Sequence, residues 1–320
     1  MQQRPDSSFR RGRRGLEDLG HGLFAWIQPD GSWGYSNAGL VTDGEQSLLV
    51  DTLFDLPLTA AMLAAMRDAV PAAREINTLV NTHANGDHCY GNQLVGDAVI
   101  IASKSSAEEM EHVSPDVMAG MIANADQLGP AGEFFRRIFG AFQFEGIQLT
   151  PPNRTFEGRM VEKVGDKTVH LIEVGPAHTK GDVLVHVPDD GVVFTGDILF
   201  IDGTPIMWEG PVGNWIRACD RIIEMQPRVI VPGHGPLTDV EGVRAVRGYL
   251  VYVRDQARVR YDAGLSAADA ARDIALGDYS SWLDAERIVV NVHTLYREFS
   301  GQDEGPNLIE IFGLMAELAR

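Results

Sequence analysis

The sequence predicts an α+β fold, in which a β-rich region comes first and a helical region follows. Over residues 22–236, short apolar runs bounded by Gly, Asp, Asn or Pro alternate with turns and a few helical segments. After residue 240, apolar residues repeat at helical spacing to the end of the chain. The two patterns indicate a sheet-containing domain over residues 21–238 and a helical C-terminal extension over residues 239–320.

Eight strands are predicted in the β-rich region, and several are apolar throughout, as strands buried on both faces tend to be. Helices are predicted between them at residues 58–70, where Ala and Met recur at helical spacing, and at residues 215–225. The predicted strands are AGLVT, SLLVDTL, INTLVNT, AVIIAS, TVHLIEV, DVLVHV, GVVFTGD and RVIVPGH.

The extension is predicted to contain several helices. Ser266 and Asp269 form a capping box at the start of SAADAARDIAL, and a further helix is predicted near residues 285–299. The apolar positions of IVVNVHTLYREF repeat at helical spacing and need a partner surface. We therefore expect the extension to pack against the sheet-containing domain or against a second subunit of a homo-oligomer.

Composition and charge exclude several classes of protein. The chain has 320 residues, of which 44% are hydrophobic and 22% are charged, so it can bury a full core and is not a disordered chain. Its 45 acidic and 27 basic residues give a net charge of −18, which repels nucleic-acid backbones and anionic membranes. We expect neither as a partner. The arginines of FRRGRRG, residues 9–15, are predicted to belong to a disordered leader over residues 1–20.

The sequence predicts a cytoplasmic protein. The first 20 residues lack the apolar stretch of a secretory signal, and no apolar run approaches the roughly 20 residues that span a bilayer. Cys89 and Cys219 form neither a disulfide framework nor a Cys-x-x-Cys pair, which suits a reducing compartment.

Side chains that bind metals follow four of the predicted strands. If these strand ends lie along one edge of a layered sheet, imidazoles and carboxylates meet there. Such a set of nitrogen and oxygen donors suits Zn²⁺, and also Fe or Mn. The residues are His83, Asp87 and His88 in THANGDH, His178 in GPAHTKGD, Asp197 in FTGD and His234 in VPGHG.

These four motifs, in this order, resemble the successive metal-binding motifs of the metallo-β-lactamase superfamily. The resemblance covers roughly residues 22–236. It implies an αββα sandwich with the metal site on one edge of two facing sheets, and the helical extension is similar to that of stand-alone hydrolase and cyclase-like members. It also implies that Asp51, in SLLVDTL, orients the first motif loop without binding metal itself.

The resemblance further implies one or two zinc ions per chain. The usual first motif of the family is His-x-His-x-Asp-His, and Asn85 stands here in place of the second His. An amide oxygen is a poor Zn²⁺ ligand beside an imidazole, so Asn85 is expected to be a weak ligand or a substrate contact. The pattern assigns His83 and His178 to a first metal, Asp87, His88 and His234 to a second, and Asp197 to both.

Asp87 is the residue expected to take part in catalysis. It binds the second metal when that metal is present, and otherwise its carboxylate can orient or deprotonate the attacking water. The implied reaction is hydrolysis by a metal-bound hydroxide.

The aromatic residues bear on the substrate. GEFFRRIFGAFQF, residues 132–144, carries five Phe, and Trp33, Tyr35 and Trp208 lie in other predicted loops. The segment either packs a helical flap onto the core or forms an apolar lid over the metals. The lid interpretation predicts a metal-dependent hydrolase whose small-molecule substrate is an uncharged, fairly apolar ester, lactone, thioester or amide such as a β-lactam. The alternatives are a non-hydrolytic metal-dependent cyclase of polyketide type and a metal-poor homologue that binds without catalysing.

Overall fold

Two β-sheets form the centre of the molecule. The computed structural model describes residues 15–28, 31–112, 114–301 and 307–319. The first sheet has seven strands, in the order β1 (Gly15–Gly20), β2 (Leu23–Ile27), β3 (Ala38–Asp43), β4 (Gln46–Val50), β5 (Thr78–Val80), β6 (Val99–Ser103) and β7 (Arg154–Phe156). The second has five strands, in the order β12 (Val229–Val231), β11 (Val192–Phe194), β10 (Val183–Val187), β9 (Lys167–Glu173) and β8 (Arg159–Val164).

Helices connect and follow these strands. Several short 3₁₀ turns join them to the sheets. The α-helices of the described residues are α1 (Leu56–Ala69), α2 (Gly86–Cys89), α3 (Lys104–Met110), α4 (Pro115–Ala123), α5 (Gly129–Phe139), α6 (Val212–Met225), α7 (Val240–Asp262), α8 (Ala267–Asp273), α9 (Ile288–Ser300) and α10 (Leu308–Leu318).

The two sheets pack face to face, and helices cover their outer faces. Aliphatic side chains from both sheets, such as Val50 and Val185, fill the space between them. Met62 of α1 packs with residues of the first sheet, whereas Trp215 of α6 packs in the cluster that contains Ile230 of the second. The predicted α+β fold, an αββα sandwich followed by C-terminal helices, is therefore confirmed.

The motif residues meet because of the strand directions. β4, β5 and β6 are parallel neighbours in the first sheet, and β11 and β12 are parallel neighbours in the second. The carboxyl ends of neighbouring parallel strands lie at the same edge of a sheet. Asp51 follows β4, THANGDH follows β5, Asp197 follows β11 and His234 follows β12.

The element predictions hold, with one correction at the start of the chain. All eight predicted strands are present, and the Ser266 hydroxyl accepts a hydrogen bond from the Asp269 backbone at the start of α8 (3.1 Å). The assignment of residues 15–20 to a disordered leader was wrong, because they form β1, pair with β2 and bury Leu19 between the sheets. Residues 1–14 of the predicted leader lie outside the described residues. The polar strand β8 was not predicted, since most of its side chains are exposed or half-buried.

The C-terminal helices pack on the rest of the chain and share its core. Tyr249 of α7 and Leu295 of α9 belong to the same buried cluster as Trp215. Asn291 of α9 adds three buried hydrogen bonds: it donates to the Pro205 carbonyl (2.8 Å) and the Tyr249 hydroxyl (2.9 Å), and accepts from the backbone of residue 207 (2.7 Å). Within the ranges given above, no helix combines the length and the apolar character needed to cross a bilayer.

Replacing Asn291 with Ala should destabilise the fold, because it leaves a buried carbonyl and a buried backbone N–H without partners. We expect the free energy of unfolding to fall by about 3 kcal/mol, measured by chemical denaturation. Asn214→Ala is the matched control, since the Asn214 amide donates to the carbonyl of Pro176 at an exposed position. An Asn291→Ala protein as stable as the control would contradict this account of how the extension is attached.

Candidate metal centre

Each of the four motif histidines is held through its Nδ1 atom. An imidazole that donates through Nδ1 keeps its lone pair on Nε2, so the four Nε2 lone pairs are directed away from these anchors. The acceptors are the Thr82 hydroxyl for His83 (3.0 Å), the Asp51 carboxylate for His88 (2.9 Å), the Ile206 carbonyl for His178 (2.6 Å) and the Gly31 carbonyl for His234 (3.1 Å).

All four Nε2 atoms converge on the carboxylate of Asp197. The Asp87 carboxylate adds a second group, 3.3 Å from Nε2 of His234 and 3.9 Å from Nε2 of His88. The structure thus brings the six predicted ligands together at one edge of the sandwich. The Asp197 oxygens lie 3.1 Å from Nε2 of His88, 3.3 Å from that of His178, 3.4 Å from that of His234 and 3.7 Å from that of His83.

The cluster fits a divalent metal ion. Nε2 of His83, Nε2 of His88 and Oδ1 of Asp197 are buried and have no hydrogen-bond partner among the described residues. Buried lone pairs of this kind are costly unless a donor or a cation meets them. Two groups of three residues have ligand atoms within 4.8 Å of one another and could each hold an ion: His83, His88 and Asp197, and Asp87, His88 and His234.

The charged groups of the cluster shift one another's pKa values. Burial raises the pKa of Asp197. The nearby imidazoles of His234, His88 and His83 lower that pKa by more than burial raises it, so it lies well below its usual range. Burial, with the neighbouring His88, lowers the pKa of His83 well below its usual value. Burial also lowers the pKa of His88, but the carboxylates around it, Asp197 first, raise it to well above its usual value. Asp197 is therefore an ionised, acceptor-only group.

Asp51 fixes the loop that carries the first motif. Its Oδ1 atom accepts from the backbone N–H of Thr82 (2.7 Å), and its Oδ2 atom accepts from the Thr82 hydroxyl (2.7 Å) and from His88 (2.9 Å). The backbone of Asp51 has φ = 62°, a left-handed conformation that costs a residue with a Cβ roughly 1–2 kcal/mol. This conformation accompanies the turn that places the carboxylate under the loop.

Asn85 lies beside the histidine of the second motif. Its Nδ2 atom is 3.1 Å from Nε2 of His178. Because Nδ1 of His178 donates to the Ile206 carbonyl, Nε2 can only accept, and the amide of Asn85 donates to it. The lone pair that the family pattern gives to a first metal is thus occupied by Asn85. His178 accordingly belongs to neither three-residue group, whereas the family pattern pairs it with His83.

Close packing holds the centre in place. The ring of Phe200 stacks on that of His234, with centroids 4.9 Å apart and planes 5° apart. Trp215 contacts the ring of His178 edge-on. Position 233 must be glycine, because a Cβ there would overlap Oδ1 of Asp197. These contacts restrict rotation of the His234 and His178 rings.

A cavity of about 310 Å³ opens onto the centre. Its polar lining includes Asn85, Asp87, Asp197 and His234, which belong to the cluster or contact it. Its apolar lining comes from several parts of the chain, including Trp33, Phe54, Phe135, Phe139, Phe200 and Phe312.

The Phe-rich segment, residues 132–144, both packs into the core and lines the cavity. All five of its Phe side chains are at least 93% buried in one core cluster, as the packing interpretation requires. Phe135 and Phe139 also line the cavity, as the lid interpretation requires. Of the tryptophans in predicted loops, Trp33 and Trp208 line the cavity as well.

The C-terminal extension contributes a charged side chain to the cavity wall. Arg287 is 1% exposed, and its guanidinium lies 4.3 Å from the ring centroid of Trp33 and 5.3 Å from that of Phe200. It donates to the Thr204 carbonyl (3.0 Å) and pairs with Asp284 (2.9 Å). The extension therefore closes one side of the cavity next to the candidate metal ligands.

Comparison with known families identifies this arrangement. Residues 31–234 match the family model described as the metallo-beta-lactamase superfamily. The chain belongs to the metallo-β-lactamase superfamily. The matched residues include all four motifs and end at His234, the last of the predicted ligands. The helices after residue 240 lie outside the matched part of this superfamily member.

Curated relatives match part of the chain at low sequence identity. The chain is 28% identical to a hydroxyacylglutathione hydrolase of Hyphomonas neptunium over 168 residues, covering 52% of this chain and 50% of the relative. A hydroxyacylglutathione hydrolase of Cereibacter sphaeroides is 24% identical over 184 residues, covering 57% and 56%. The chain thus spans about half the length of the curated relatives it matches.

Solved structures agree with the fold. The stereoselective inverting sec-alkylsulfatase Pisa1 from Pseudomonas sp. superimposes with a TM-score of 0.68 at 15% identity, covering 92% of this chain and 52% of that one. A metallo-beta-lactamase from Pontibacter korlensis gives a TM-score of 0.55 at 16% identity, covering 74% and 98%. The larger share of this chain matched by the alkylsulfatase includes the region of the C-terminal helices.

Several cavity residues were not found from the sequence. Tyr90 lies one helical turn after Gly86 and Asp87, so its position beside the motif was available as a signal. Glu109 and Arg287 carried no signal, because each belongs to a helical segment far from the motifs along the chain.

Replacing His88 or His234 with Ala should remove most of the bound metal, because each supplies a buried Nε2 atom to the group that includes Asp87. Metal per chain is measured by elemental analysis after gel filtration. His293→Ala is the control, since His293 lies in α9 and belongs to neither group. Full metal content in both variants would exclude His88 and His234 as ligands.

Asn85 should leave the two metals unevenly bound. Wild-type protein at modest Zn²⁺ concentration should hold fewer than two ions per chain, and Asn85→His should raise the content toward two by adding an imidazole. Asn85→Ala frees the Nε2 lone pair of His178 without adding an imidazole, so it should raise the metal content by less than Asn85→His does. Two tightly held ions in the wild type, unchanged in both variants, would show that Asn85 does not weaken a metal site.

Proposed function

We propose that the protein is a metal-dependent hydrolase that acts on an uncharged, fairly apolar ester, lactone, thioester or amide. The observation that carries the proposal is that a cluster of four imidazoles and two carboxylates lies at a largely apolar cavity, which His234, Asp87 and Asp197 line. A cavity of about 310 Å³ is of the size that binds small molecules. The relatives named as hydroxyacylglutathione hydrolases support hydrolysis as the reaction class.

The proposed ligands are the six motif residues, and the proposed ion is zinc. Such an ion supplies acidified water near neutral pH and polarises a carbonyl group. The more complete set of ligands consists of His88, His234, Asp87 and Asp197, because the Nε2 lone pair of His178 accepts a hydrogen bond from Asn85. Asp87 is only half-buried, unlike the four histidines, and it lines the cavity, so its carboxylate can orient the attacking water against the substrate.

The lining of the cavity supports an apolar substrate. Aromatic rings from the N-terminal part of the chain, from α5 and from α10 exclude water around the scissile bond, and this strengthens polar interactions inside the cavity. The net charge of −18 disfavours polyanionic substrates. We propose a cytoplasmic location as well, to which the two buried free cysteines lend support.

Hydrolysis should depend on the metal. We expect the purified protein to turn over at least one of a panel of chromogenic esters, thioesters, lactones and a β-lactam, and to lose that activity after chelation and dialysis. Adding Zn²⁺ back should restore it, with Fe²⁺ and Mn²⁺ as comparisons, and elemental analysis verifies each state.

Three outcomes would contradict the proposal. Turnover that persists in protein shown to be free of metal would exclude the metal-dependent mechanism. Fully metal-loaded protein that hydrolyses none of the panel would favour a non-hydrolytic cyclase, and protein that binds no metal would favour a homologue that binds without catalysing.

A further inference from the structure

One carboxyl group in the cavity lies outside the candidate metal centre. The acidic side chains that line the cavity, among the described residues, are Asp87, Asp197 and Glu109. The first two belong to the candidate ligand groups, whereas Glu109 lies near the end of α3, in a segment with no metal-binding motif. The mechanism proposed above gives Glu109 no role.

Glu109 is held in a fixed position relative to the second motif. Its Oε2 atom accepts from the backbone N–H of Lys180, two residues after His178 (3.2 Å). The hydroxyls of Ser103 and Ser106 both donate to the carbonyl of Gly181, at 2.7 and 2.9 Å. Three hydrogen bonds therefore join the start and the end of α3 to the loop that carries His178.

The surroundings of Glu109 favour its protonated form. Partial burial raises its pKa, and the neighbouring carboxylate of Glu209 raises it further, although Lys180 and His112 act in the opposite direction. The cavity wall to which Glu109 belongs also includes the apolar side chain of Met118. A carboxyl group in an apolar cavity, beside groups that stay ionised, is the arrangement that supplies a general acid near neutral pH.

Glu109 lines the same cavity as Asp87 and Asp197. A substrate that fills this cavity of about 310 Å³, with its scissile bond at Asp87 and Asp197, therefore also contacts Glu109. One oxygen of Glu109 is used by Lys180. The other remains for the substrate.

We propose that Glu109 is the general acid that protonates the leaving group of the substrate, an inference that rests on the proposed hydrolase function. Water adds its hydroxyl to the acyl carbon, and the bond from that carbon to the leaving oxygen, sulfur or nitrogen breaks. The leaving atom takes the proton of Glu109. The proton released by the attacking water then returns to the Glu109 carboxylate, so that the enzyme ends each cycle unchanged.

This role predicts a dependence on the leaving group. Nitrophenolate is a weak base and leaves without taking up a proton. Ethoxide is a strong base and needs a proton from an acid as it leaves. Glu109→Gln should therefore lower kcat for ethyl hexanoate by roughly 100-fold or more, and should leave kcat for 4-nitrophenyl hexanoate within about threefold of the wild type. The two esters share one acyl group, so both test the same cavity. Gln retains an oxygen that accepts from Lys180, and the link between α3 and the His178 loop is kept.

The dependence on pH provides a second measurement. With wild-type protein, turnover of the ethyl ester should fall as pH rises through the pKa of Glu109, because the acid form is lost. That decrease should be absent in Glu109→Gln and with the nitrophenyl ester. Glu108→Gln is the matched control, since Glu108 is the exposed neighbour of Glu109 on α3 and does not line the cavity. Metal content and thermal stability are measured for every variant.

The outcomes separate this inference from the proposed function. A wild type that hydrolyses both esters, with a Glu109→Gln variant that matches it on both, overturns the general-acid role and leaves the hydrolase intact. An equal loss on the two esters, or a loss of metal, also overturns it, because it shows a structural role. A wild type that cleaves the aryl ester alone shows that no acid assists departure. A wild type inactive on the whole panel removes the proposed function itself.

Discussion

The centre depends on an ionised carboxylate on which four imidazole nitrogens converge. Asp197 lies within 3.7 Å of all four Nε2 atoms. An imidazole free to rotate would turn an N–H toward such a carboxylate. The outward hydrogen bonds through Nδ1, to Asp51, Thr82 and two backbone carbonyls, oppose that rotation. The lone pairs therefore stay directed inward, where only a cation or another donor can satisfy them.

The sequence predicted the parts of the molecule that repeat a local pattern. Apolar runs and turn residues located the eight strands, and the polar residues after them located the six candidate ligands, because strand direction alone decides which loops meet. Strand β1 was missed, since GLEDLG has the composition of a surface segment and becomes a strand only by pairing with β2. The contact of Asn85 with His178 could not be predicted from the sequence, because it depends on two loops that lie 93 positions apart along the chain.

The cavity shows why its specificity could not be derived from the motifs. Its walls come from the segment around Trp33, from α3, α4 and α5, and from the helices after residue 240. None of these segments carries a candidate ligand. A superfamily fold of this kind therefore fixes where the chemistry takes place and leaves the choice of substrate to the segments around it.

The contact of Trp33 with Phe312 has a consequence for how the protein is made. These rings, 6.4 Å apart, come from opposite ends of the described chain, and Arg287 covers the other side of Trp33. During synthesis the last candidate ligand, His234, leaves the ribosome well before α10 does. Until α10 is made, the cavity therefore lacks the wall that Phe312 supplies.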